Sequence, residues 1–132
     1  MNDSAKAISE RVRRLGDQFL VHSFLYYQLG ENVISDAAFD QLADELLALH
    51  EAHPEVELPH AAALKPALGD EASGFGIRDY PGAIVTDAFK LLYAVTMPGV
   101  EFSEFVERRG YRAEIGAENN AELDAEKGAA GG

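Results

Sequence analysis

The sequence predicts an all-α protein, on three observations. Ile8, Val12, Leu15, Phe19, His22 and Tyr26 recur at three- and four-residue steps, one stripe of a 3.6-residue period. A second stripe of the same period runs through Phe39, Leu42, Ala43, Leu46, Leu49, His50 and His53. Only about five residues separate the two, which predicts antiparallel neighbours in a helical hairpin.

Each element has its own punctuation. Asp3 or Ser4 can cap the first helix, Leu20, Phe24 and Tyr27 widen its apolar face, and Gly30 offers a stop. Ser35 begins the second helix as its cap, Asp36 complements the positive end of the helix dipole, and Ile34 and Phe39 stand at the staple positions. Pro54 closes it. Between 54 and 80, "HAAALKPAL" has room for a helical turn, while Pro59, Pro66, Gly69, Gly74 and Gly76 break longer patterns. A third helix is predicted from Pro81, a residue suited to a first helical position, to about Thr96. Its expected buried face is Ile84, Val85, Ala88, Leu91, Leu92 and Val95. Past Pro98-Gly99, a short fourth helix through Phe102, Phe105 and Val106 ends by Gly110. From Ala113 the chain has two large aliphatics, Ile115 and Leu123, and ends in small residues, which predicts a disordered acidic tail. The expected organisation is a hairpin over 1–58, a helical extension packing on it over 59–112, and the tail over 113–132.

Charge narrows the function. The net charge of −12 is uneven: residues 15–64 hold nine Asp and Glu and no Lys or Arg. Phosphate backbones need clustered cations, so direct nucleic-acid binding is not expected. The small basic group at Arg11, Arg13 and Arg14 suits a solvated helix face. No cysteine is present, which excludes disulfides, thiolate zinc sites and a cysteine nucleophile. No apolar run approaches the ~20 residues of a membrane span, and the first residues lack the apolar core of a signal peptide. The expected location is cytoplasmic.

Other chemical signals are thin. His50 and His53 in "HEAH" stand one helical turn apart, but a His-Glu-x-x-His zinc site needs its histidines four apart, so no metal is expected. His22 and His60 have no recognisable partner triad. Ser73-Gly74-Phe75-Gly76 lacks the Gly-Lys-Ser/Thr of a phosphate-binding loop.

The hairpin carries a more specific pattern: Tyr26-Tyr27, then "ISDAAFD" from Ile34 to Asp40, then Leu42, Glu45-Leu46, Leu49 and His53-Pro54-Glu55. This run resembles the N-terminal helical domain, called domain Ia, of bacterial NAD-dependent DNA ligases. In those enzymes the domain closes over NAD and grips its nicotinamide mononucleotide half, beside a lysine on a separate catalytic domain. The resemblance implies that Tyr26 and Tyr27 supply stacking faces for the pyridinium ring. It implies that Asp36 and Asp40, four apart on one helix face, supply acceptors and negative charge. Aromatic faces and carboxylates both favour a planar cation. Phe39 takes the position where the family usually has tyrosine, and with it a hydroxyl is lost.

The resemblance stops at the hairpin. The ligases adenylate the lysine of a Lys-x-Asp-Gly motif, whereas Lys6, Lys65, Lys90 and Lys127 stand in "KAIS", "KPAL", "KLLY" and "KGAA". The expected protein is a stand-alone, phage-encoded ligase relative without the catalytic core, not an enzyme alone. It would bind NAD or nicotinamide mononucleotide and act with or on a ligase. The competing expectation is an interaction or scaffold module that keeps the hairpin as a stable core, with another protein as partner. Each candidate also has a structural reading: Tyr26 as core packing, Phe39 as the staple, Asp36 as dipole complement, Asp40 as a solvated acid.

Overall fold

The fold described here is a computed structural model, covering residues 3–68, 77 and 80–111. It is all-helical, with five α-helices and no strand among the described residues. The chain forms two compact units, Met1–Tyr80 and Pro81–Gly132. The predicted acidic tail, 113–132, lies outside the described residues, as does the glycine-rich stretch 73–76.

In the first unit, α1 spans Asp3–Ser23 and α2 spans Asp36–Ala52. The two run antiparallel: Arg11 pairs with Glu45 by a 2.8 Å hydrogen bond from its Nε, and further along α1 Phe19 stacks on Phe39 with ring centroids 5.4 Å apart. The Arg11–Glu45 pair is exposed, so its share of stability is ~0–1 kcal/mol. Buried apolar side chains hold the hairpin instead, chiefly Val12, Leu15, Phe19 and Leu20 from α1 and Ala43 and Leu46 from α2. Ser35 caps α2 as the sequence predicts, its Oγ accepting from the Ala38 N–H at 3.0 Å, a contact of the kind that contributes ~1 kcal/mol.

The end of α1 departs from expectation. The regular helix stops at Ser23, and Phe24–Gln28 form a π turn closed by the Leu29 N–H donating to the Phe24 carbonyl. A turn with i→i+5 bonding takes in one more residue than an α-helical turn, so it rotates the side chains that follow off the helical stripe. Tyr26, placed by its period on the core face, is instead 45% exposed, and Tyr27 is 37% exposed. Phe24 and Leu25, the first two residues of the turn, stay buried. Gly30, at φ +69°, then reverses the chain as the glycine stop requires. The Glu31 N–H donates back to the Leu25 carbonyl at 2.8 Å.

The foreseen helical turn in "HAAALKPAL" is a seven-residue helix, α3, Ala61–Ala67. Its approach to α1 is set at Gly16, where an added Cβ would lie 2.7 Å from Pro59 Cγ and 2.9 Å from Leu64 Cδ1. Only a residue without a side chain allows that contact.

In the second unit, α4 spans Gly82–Thr96 and α5 spans Phe102–Glu107. Pro81 is the cap of α4 rather than its first helical residue; at ψ 145° it is extended, and its carbonyl accepts from Ile84 and Val85. The predicted face holds at Ile84, Val85, Ala88 and Leu92, all buried, and weakens at Leu91, which is half-buried. It fails at Val95, which is 54% exposed near the open end of the helix. Phe89 is fully buried and was not on the predicted stripe. An aromatic network explains it: Phe89 meets Phe105 and Tyr111 edge-on, Tyr93 meets Phe102 and Phe105, and the Tyr93 hydroxyl donates to the Val100 carbonyl. No helix is long and apolar enough to cross a membrane among the described residues.

Candidate functional site: a cavity at the closed end of the hairpin

The π turn, the connecting loop and the first turn of α2 enclose a cavity of about 320 Å³. That lies at the low end of the ~300–1,000 Å³ usual for small-molecule sites, enough for a ring and a sugar rather than a whole dinucleotide. Its lining includes all five residues singled out from the sequence: Tyr26, Tyr27, Asp36, Phe39 and Asp40.

Local structure explains how each arrives there. The π turn swings Tyr26 and Tyr27 away from the core, and their rings meet edge to face at 4.8 Å and 88°. Both tyrosines border the cavity. Asp36 and Asp40 stand one turn apart at the start of α2 and are both exposed. Phe39 is half-buried; its ring stacks on Phe19, nearly parallel at 20°, as a packing residue that also borders the cavity.

The sequence reading missed the rest of the wall. Glu31, Asn32, Val33 and Ile34 come from the connecting loop, and His22 from the last turn of α1. Any cavity at the closed end of a hairpin is walled by its connection, so the loop residues could have been named. His22 is half-buried, and that burial lowers its pKa from the ordinary histidine value, favouring the neutral imidazole. Among the described residues, the lining thus has three carboxylates (Glu31, Asp36, Asp40) and no Lys or Arg.

Tyr80 packs against the first residue of the π turn, its ring meeting Phe24 edge-on at 5.2 Å. Its hydroxyl is buried without a hydrogen-bond partner. Burial first, and then the nearby Tyr27, push the Tyr80 phenol upward. Ser23, at the junction of α1 and the π turn, likewise has a buried hydroxyl with no hydrogen bond. The remaining sequence candidates lie elsewhere. His53 sits 3.6 Å from Glu55 and His60 3.5 Å from Asp17. No group of three or more His, Asp or Glu side chains is arranged for a metal ion among the described residues.

The donor set fits an oxidised nicotinamide ring. Two aromatic faces suit a flat cation, and the carboxylates supply opposite charge. The Asn32 amide and the tyrosine hydroxyls add neutral hydrogen-bonding groups.

Comparison with known proteins bears on the same segment. Residues 5–61 match the family described as "DNA ligase-like, N-terminal NAD+-binding domain". A DNA ligase of Roseiflexus sp. (strain RS-1) is 48% identical over 52 residues, 39% of this chain and 7% of the ligase. One of Desulforamulus reducens is 41% identical over 59 residues, 45% of this chain and 9% of the ligase. One of Lysinibacillus sphaericus (strain C3-41) is 32% identical over 84 residues, 62% of this chain and 12% of the ligase. No solved structure matches the chain. The chain spans about a tenth of the length of these relatives, and the matched segment contains every residue of the cavity wall. Over residues 5–61, then, the chain is similar to the N-terminal NAD+-binding domain of DNA ligases.

Proposed function

We propose that the hairpin cavity binds the nicotinamide half of NAD, or nicotinamide mononucleotide, as a non-catalytic module acting with or on a DNA ligase. The observation that carries this is the pair Tyr26 and Tyr27, turned outward by a π turn onto a cavity they share with Asp36 and Asp40. Packing alone does not call for two exposed rings there. The residues of the chain do three things: the rings stack on the pyridinium, the carboxylates oppose its charge, and Phe39 on Phe19 keeps α1 and α2 in register below them. NAD itself supplies the activated pyrophosphate, and in this reading the attacking group belongs to the ligase.

Isothermal calorimetry with nicotinamide mononucleotide tests the reading. For residues 1–132 tested by themselves, the expected Kd lies between about 10 μM and 1 mM. No heat at millimolar ligand, with the folded state verified by circular dichroism, overturns it. A second reading, a protein-interaction module, is favoured by the second unit, where the family match does not reach and Val95 and Met97 stand 54% and 80% exposed. Val95→Ser and Met97→Ser would then abolish capture of a partner that Asp36→Asn and Asp40→Asn leave intact.

A further inference from the structure

Resting on that reading for its ligand, we propose that Tyr80 is a positioning residue of the nicotinamide site: its ring, packed edge-on against Phe24, holds the π turn in the register that brings Tyr26 and Tyr27 to the cavity. Tyr80 lies outside residues 5–61, which match the ligase family, and it does not line the cavity itself. It belongs to the same compact unit as the hairpin and is the last residue of that unit.

Phe24 is the anchor of the turn. Its carbonyl accepts from the Leu29 N–H, the bond that closes the π turn, and its side chain is 2% exposed. A π turn competes with ordinary α geometry, in which the same N–H would bond to the next carbonyl along, that of Leu25. Regular α bonding would draw the following side chains back onto the helical stripe. What holds Phe24 in place therefore decides whether Tyr26 and Tyr27 reach the cavity. The Tyr80 ring meets Phe24 at 5.2 Å and 75°, the arrangement in which the positive edge of one ring meets the negative face of the other. The Tyr80 hydroxyl is buried without a hydrogen-bond partner, which costs free energy, so the ring and not the hydroxyl is what this contact contributes. Burial first, then Tyr27, pushes the Tyr80 phenol upward, so Tyr80 also lies within electrostatic reach of the tyrosine pair.

The test pairs calorimetric titration of the full chain with nicotinamide mononucleotide and NMR hydrogen exchange of the Leu29 amide, which opens locally at the end of the turn. Tyr80→Phe keeps the ring and loses a hydroxyl that bonds nothing, so affinity should stay within about twofold and Leu29 exchange should not change. Tyr80→Leu keeps apolar bulk without a ring. Its affinity should fall about fivefold and its Leu29 amide should exchange about fivefold faster, with the fold verified by circular dichroism. Gly16→Ala disturbs the α1–α3 contact of the same unit and controls for general destabilisation; both readouts should stay at the parent values. A Tyr80→Leu chain with parent affinity and parent Leu29 protection overturns the proposal. So does an equal loss in Tyr80→Phe, which would assign the role to the hydroxyl, or in Gly16→Ala, which would mark a merely structural effect. If the parent chain gives no heat with the mononucleotide, the nicotinamide reading falls, and Leu29 exchange alone decides whether Tyr80 holds the turn.

Discussion

The two units use the same residue types for opposite ends. In the second, Phe89, Tyr93, Phe102, Phe105 and Tyr111 meet one another edge-on, and Arg109 lies over the Phe105 ring at 4.1 Å. In the hairpin, Tyr26 and Tyr27 meet edge to face, stand partly exposed and border a cavity. Aromatic rings enclosed by rings stabilise a core, whereas partly exposed rings beside carboxylates suit a flat cation. The difference lies in the backbone below them. α4 keeps its helical period through Phe89 and Tyr93, while the π turn breaks it at Tyr26 and Tyr27.

The comparison is broken most forcefully by truncating one ring from each set. Phe89→Ala removes a fully buried side chain and should cost about 3–5 kcal/mol in urea unfolding. Tyr26→Ala should cost under ~0.5 kcal/mol, as an exposed position, yet weaken nicotinamide mononucleotide at least tenfold. Equal stability losses for the two would show that Tyr26 is a packing residue after all. Gly16→Ala comes next. Its methyl group meets the Pro59 ring, which yields less readily than a flexible chain end, so a loss of about 1–3 kcal/mol is expected, with ligand affinity unchanged if the fold holds.

The smallest effect concerns pH. Burial lowers the folded-state pKa of His22 from its model-peptide value of 6.5. The unfolded chain therefore takes up the proton first, and stability falls as pH drops from about 7 through 6.5 toward the folded value. His22→Gln should shallow that fall relative to the parent chain, read as the difference between their melting temperatures from pH 7.5 to 5. Tyr26, Glu31, Asp36 and Asp40 border the same cavity and remain in both proteins, so the difference isolates the imidazole. A steeper fall in the variant would contradict the assignment.

How much of this was legible in the sequence follows from how local each signal is. The Ser35 cap and the α1–α2 hairpin rest on residues a few positions apart, and both appear as written. The five candidate residues were readable because a resemblance marked them, and all five line one cavity. The π turn was not readable: nothing in Phe-Leu-Tyr-Tyr-Gln announces an extra residue, so the helical period carried Tyr26 into the core by extrapolation. Val95 failed for a related reason. A stripe shows which face of a helix is apolar but not how far along that face cover extends, and α4 ends at Met97, 80% exposed, in a left-handed conformation. Phe89 and Tyr80 depend on partners distant in sequence, Phe105 and Tyr111 for one and Phe24 for the other.

The extra residue in the π turn also makes this site fragile in a way that no substitution reproduces. Deleting a single codon between positions 24 and 28 would leave composition, charge and capping almost untouched, and would let the ladder close in ordinary α geometry. The tyrosines would then rotate back toward the stripe from which the turn displaced them. A chain with that lesion would still be recognisable as a hairpin, with its two tyrosines folded inward, so length at this one turn must be kept by a gene that keeps the cavity wall.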